Sequence, residues 1–123
     1  MGWITIAAAV EPIASGLFVL VSPSLFSSLV WGAELSEVGM VLGRLSGIVL
    51  LALGISCWPA RKAPIISAPA VHAMLTYNLL AACYLAYVGV ASRLVGVLLW
   101  PAVTLHAILG LLVIRIWAAI SKT

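Results

Sequence analysis

Glu11 and Arg44 each sit inside a run of roughly twenty otherwise apolar residues, long enough to cross a bilayer core. A charge at that depth costs at least about 2.5–3.5 kcal/mol on insertion scales, so it persists where it is paired, hydrated or used. One acid and one base on neighbouring runs predict a buried polar pair, Glu11 with Arg44. Asn78 and His106 add one strongly polar side chain to each of two further runs, with Thr76, Tyr77 and Thr104 close by.

At about 1.5 Å per helical residue, Glu11 lies about 12 Å from the inner end of its run and Arg44 about 10 Å from the outer end of the next. Asn78 and His106 lie about 14 Å and 17 Å into theirs, so all four fall near the middle of a core about 30 Å thick. Two readings stand side by side. In one, the four residues form a polar lock that fixes register and orientation. In the other they line a ligand pocket or proton path. Such a pocket would comprise Tyr77, Asn78, Thr104 and His106 with Trp100 and Pro101 above it, and would suit a quinone headgroup, a lipid or a carotenoid-like molecule.

Other chemistry is thinly represented. The sequence has no H-E-x-x-H, no G-x-S-x-G and no phosphate-cradling glycine loop. There is no second carboxylate inside the apolar runs and no C-x-x-C, so no catalytic residues and no metal site are assigned. No cofactor is required by the sequence. His72 and His106 differ in depth by roughly 10 Å, which disfavours a bis-histidine haem. Cys57 and Cys83 are separated in depth by more than about 10 Å, beyond disulfide reach, and are expected as buried free thiols.

The elements that must hold these residues follow from composition. The 123-residue chain is 65% hydrophobic and 7% charged, too little charge to clothe a soluble domain, so lipid must be its solvent. Its net charge of +3 is small and scattered, with no basic cluster longer than Arg61-Lys62, which excludes a nucleic-acid surface. The runs predict an all-α bundle of four transmembrane helices in one domain, at about residues 3–21, 38–58, 69–90 and 94–120. Glu11 and Pro12 interrupt what would be the apolar core of a signal peptide, so the first run is expected as a retained helix.

Between the first two spans, Ser22 and Pro23 predict the start of a short helix. Leu25, Phe26, Leu29 and Val30 would share one face and Ser24, Ser27 and Ser28 the other. That pattern suits a helix lying in the outer interface or a lid on the bundle. Gly39, Gly43 and Gly47 recur every four residues and predict a groove for a neighbouring helix. Span one offers Ala7, Glu11 and Ser15 at the same interval, and seating that ridge in the groove would bring Glu11 to Arg44. Pro12 and Pro101 should free carbonyls near Ala8 and Val97 and bend their helices. Arg61, Lys62, Arg115 and Lys122 outweigh Arg93 on the other side, placing both termini in the cytoplasm by the positive-inside rule.

The run Gly43-Arg44-Leu45-Ser46-Gly47-Ile48, continuing through Leu50, Leu51 and Ala52-Leu53-Gly54, resembles segments of small four-helix bacterial membrane proteins of the DoxX-like kind. The resemblance implies a multi-pass protein of the bacterial inner membrane, some of whose relatives are associated with respiratory or oxidoreductase systems. Glu11 within Ala8-Ala9-Val10-Glu11 also resembles the first-helix glutamate of small multidrug resistance transporters, although the third span lacks the tryptophan of that family. The leading expectation is a non-enzymatic accessory or scaffolding subunit of a larger membrane complex, or a homo-oligomer, with the lipid bilayer and other membrane subunits as partners. A proton-coupled transporter and a quinone- or lipid-binding module stand as alternatives.

Overall fold

Apolar runs punctuated by proline, serine and glycine become helices in the computed structural model, which describes residues 2–59 and 67–122. They are α1 (Gly2–Val21), α2 (Pro23–Trp31), α3 (Glu37–Ser56), α4 (Ala68–Ala91) and α5 (Leu99–Ile120). Four of them, all but α2, are long and apolar enough to cross a membrane. The molecule is thus a small multi-pass membrane bundle with one short extra helix. Arg61 and Lys62, which carried the orientation argument, lie outside the described residues.

Local chemistry sets the helix ends. Ser36 accepts a hydrogen bond from the Gly39 amide at 3.1 Å, and Ser67 accepts one from the Ala70 amide at 3.4 Å. Ser22 precedes α2 but makes no side-chain cap; its carbonyl instead accepts from the Phe26 amide. Gly32 ends α2 with φ +64°, the left-handed conformation that glycine adopts without penalty. The fourth span begins at Leu99 rather than near residue 94. Residues 92–98 instead form a strap along α2, where the Gly96 and Leu98 amides donate to the Val30 and Leu29 carbonyls. Pro101 therefore stands in the first turn of α5, where its missing N–H has no intrahelical partner to lose. The expected bend there does not arise from a broken bond.

The helices associate as two close pairs, α1 with α3 and α4 with α5, joined chiefly through α1 and α5. Little contact links α3 to α4. The α1–α3 contact is backbone on backbone. A β-carbon on Gly16 would lie 2.7 Å from the Gly47 carbonyl oxygen, and one on Gly47 would lie 2.7 Å from that of Gly16. Gly54 presses equally closely on the Ala9 carbonyl and Ile13. The working groove is thus Gly47 and Gly54, with Gly43 beside Pro23; Gly39 faces its own Leu35 and Ser36. The facing ridge on α1 is Ala9, Ile13, Gly16 and Leu20, not Ala7, Glu11 and Ser15. Small residues prevail here because lipid offers no hydrophobic drive, so close van der Waals contact must supply it.

One end of the bundle is solidly packed. Ile4, Ala8 and Ala9 meet Cys57, Val71, Met74, Leu109, Val113 and Ile116 there. At the other end α2 lies across α1, α3 and α5 as a lid. Ser27 is buried against the lid's inner side, donating to the Ala33 carbonyl at 2.7 Å, while Leu25 faces outward. The division expected between an apolar and a serine face is therefore corrected: Pro23, Ser27 and Val30 form the buried face. A serine can take this place because its hydroxyl finds a backbone acceptor. Of the two cysteines, both free, Cys57 is buried and Cys83 is exposed on the outer face of α4.

Gly47→Ala is expected to lower stability by about 1–3 kcal/mol through overpacking. Gly39→Ala should cost less, because its new methyl meets the Leu35 and Ser36 side chains at 3.3 Å and no backbone of a neighbouring helix. Thermal unfolding of both variants in the same lipid environment checks the difference.

Candidate functional site

Glu11 turns away from α3. Relative to Ala9 and Gly16, which face that helix, it is rotated by roughly 140–160° at 100° per residue. Its carboxylate consequently points to α4 and α5. Ser15, one turn later, donates to Oε1 at 2.7 Å, and the Tyr77 hydroxyl donates to the same oxygen over a long 3.5 Å. His106 brings Nε2 to 3.8 Å from Oε1. The second oxygen, Oε2, is buried and has no hydrogen-bond partner.

His106 is held from behind. The Asn78 amide group donates to the Met74 carbonyl one turn earlier at 2.9 Å, which fixes the direction of that side chain. The Asn78 Oδ1 then faces His106 Nδ1 at 3.0 Å. An amide oxygen only accepts, so Nδ1 carries a proton and Nε2 is the ring nitrogen turned toward Glu11. Asn78 is wholly buried and His106 nearly so, and the Tyr77 ring meets the imidazole edge-on at 5.2 Å. A chain of contacts thus runs from the α4 backbone through Asn78 and His106 toward Glu11.

Two cavities border this set. A cleft of about 720 Å³ lies between α3 and α4 beneath the lid, with His106 and Tyr77 at its base and Leu42, Leu45 and Val49 along one wall. A smaller cavity of about 300 Å³ is bordered by Glu11, Ser15, Phe18 and Pro101. Both are lined by Phe26, Trp31, Leu50, Tyr77, Leu85 and His106, so they adjoin. Phe26 packs edge-on against Phe18 on one side and Trp31 on the other, forming an aromatic roof.

Two sequence expectations are corrected here. Arg44 does not pair with Glu11: it lies on the exposed face of α3, and among the described residues no side chain forms an ion pair with it. The cause is the Gly16–Gly47 contact, which points Glu11 and Arg44 in different directions. Thr104 and Trp100 also stand outside the site. Thr104 is exposed and donates back to the Trp100 carbonyl, while the Trp100 ring packs against Gly89. His72 is exposed on α4. Among the described residues no three His, Cys, Asp or Glu side chains gather as a metal site.

The sequence reasoning missed Phe18, Phe26 and Trp31 as cavity walls; Phe18 depends on the rotation of α1, and Phe26 and Trp31 on how α2 folds back. Ser15 carried a usable signal, because a hydroxyl four residues after an acid faces it across one helical turn. No protein family, curated protein or solved structure matches this chain.

Double-mutant cycles separate the two arrangements. Glu11→Gln with Arg44→Gln should be additive within about 0.5 kcal/mol, because the pair does not touch. Asn78→Leu with His106→Phe should deviate from additivity, by about 0.6–2 kcal/mol for a hydrogen bond between helices.

Proposed function

We propose that this protein is a membrane-embedded binding module for an elongated lipophilic molecule. Its polar head docks against Glu11, Tyr77 and His106, and its tail lies in the cleft between α3 and α4. The observation that carries this reading is the junction of a roomy apolar cleft with a buried polar cluster. A volume of about 720 Å³ falls within the range of small-molecule sites. The sparse contact between α3 and α4 offers a lateral way in from the bilayer.

Physical chemistry assigns the two halves different roles. A tail moving from lipid into an apolar cleft exchanges one hydrocarbon environment for another and gains little from hydrophobic transfer. Selectivity must then come from the head and from shape. The role proposed is binding rather than catalysis, since Glu11 has no second acid near it to share proton transfer; Glu37 stands at the far end of α3, in its first turn. Proton-coupled export of a cation has less support, because Ser15, Tyr77 and His106 already converge on Glu11.

A second reading, membership of a larger membrane assembly, is favoured by Arg44. The residue is exposed within α3, between Val41, Leu45 and Ile48, which are also exposed. A guanidinium there either snorkels toward the outer interface or meets an acid on a partner helix. The expected partner is a membrane subunit or a second copy of the chain. This is also what the resemblance to DoxX-like proteins implies.

Ala81→Phe should fill the cleft and weaken binding of a decyl-chain amphiphile at least about tenfold, with the helical fold kept; saturation binding in lipid nanodiscs checks it. Unchanged binding would remove the cleft from the proposal. For Arg44→Leu, mild extraction from native membrane should yield a smaller particle than the unmodified chain. Equal sizes with raised stability would assign Arg44 to snorkelling alone.

A further inference from the structure

We infer that the head group taken by this site is a neutral aryl hydroxyl, acting as hydrogen-bond donor to the Glu11–His106 pair. The inference rests on the binding reading above and names the chemistry of its ligand. The site holds more acceptors than donors. A carboxyl group carries acceptor lone pairs on both oxygens. Here Oε1 receives the Ser15 hydroxyl at 2.7 Å and the Tyr77 hydroxyl at 3.5 Å, and Oε2 receives nothing.

His106 adds a further acceptor. Met74 orients Asn78, and Asn78 Oδ1 accepts from Nδ1–H, so in its neutral form the ring presents Nε2 as a lone pair. That nitrogen stands 3.8 Å from Oε1, too far for a direct hydrogen bond. The two acceptors are spaced so that one hydroxyl oxygen can reach both. Buried acceptors without donors are rare and costly, so the missing component is a donor. Rotation about the terminal torsion of Glu11, which is soft, lets either carboxylate oxygen turn toward it.

Charge and shape narrow the class. The small cavity is walled by Phe18, Phe26, Leu98, Pro101 and Leu105, with Glu11 its single acid. An ammonium head must bring three N–H donors and a full charge out of water into a cavity whose walls are otherwise apolar. A neutral hydroxyl has one O–H to place, which either member of the pair accepts. The edge-on rings of Phe18, Phe26 and Trp31 favour a flat head over a chain alcohol, since ring edges pack well on a ring face.

The test uses the full chain in lipid nanodiscs and four probes with matched tails: 4-nonylphenol, its methyl ether 4-nonylanisole, nonanol and nonylamine. The phenol is expected to bind about tenfold tighter than the ether, the worth of one hydrogen bond. Glu11→Gln should shrink that gap to about threefold or less, because one acceptor oxygen becomes a donor. If the variant does not fold, the phenol–ether comparison on the unmodified chain still decides.

Equal binding of phenol and ether would overturn the donor requirement and leave the cleft intact, with water satisfying Glu11. Nonanol matching the phenol would overturn the aryl assignment. Tightest binding of nonylamine would overturn neutrality. Absence of saturable binding by any probe would overturn the binding reading itself.

Discussion

The carbonyl oxygens of Gly16 and Gly47 each stand where the other residue's β-carbon would have to be. This contact fixes the rotation of α1 against α3 more tightly than side-chain packing could, because backbone cannot yield as a rotamer can. Every other placement follows from it. With Ala9, Ile13 and Gly16 committed to α3, Glu11 and Ser15 must face the opposite pair of helices. Tyr77 and His106 meet them there from α4 and α5. The polar cluster therefore bridges the two helix pairs, where α1 and α5 hold the bundle together.

Packing is divided along the bundle. Around Met74 and Val113 the helices pack closely, and these side chains are almost entirely buried. Beyond the level of Glu11 the pairs diverge, and space remains under α2. A bilayer makes such a division tolerable, because acyl chains can occupy openings that water would penalise. The polar cluster lies at the boundary. It has a rigid floor, supplied by Asn78 and the Met74 carbonyl, and a compliant ceiling of aromatic side chains.

The four spans and the short second helix were legible in the sequence because prolines, serines and rare charges bound each apolar run. Helix ends agree to within a residue or two except at α5, whose delayed start depends on a strap bonded to α2. Helix rotation was much less legible. In a soluble protein an amphipathic stripe reveals which face turns inward. Here lipid and core are equally apolar, so Gly39 and Gly47 look alike in sequence though only Gly47 meets α1. The same ambiguity made Arg44 a plausible partner for Glu11. Polarity alone identified Asn78 and His106, and Thr104 shows its limit: a hydroxyl that bonds back along its own helix has no need of a site.

The strap between α4 and α5 is bonded to the lid through the backbone, Gly96 to Val30 and Leu98 to Leu29. A β-carbon at Gly96 would collide with the Leu29 carbonyl, so the two segments are seated without slack. Leu98 and Pro101, just beyond the strap, form part of the wall facing Glu11. The lid and that wall are consequently one mechanical part. Any displacement of α2 would be carried by the strap into the first turn of α5, changing the room beside the carboxylate. Lid and pocket wall are thereby joined across two helices that are distant in sequence.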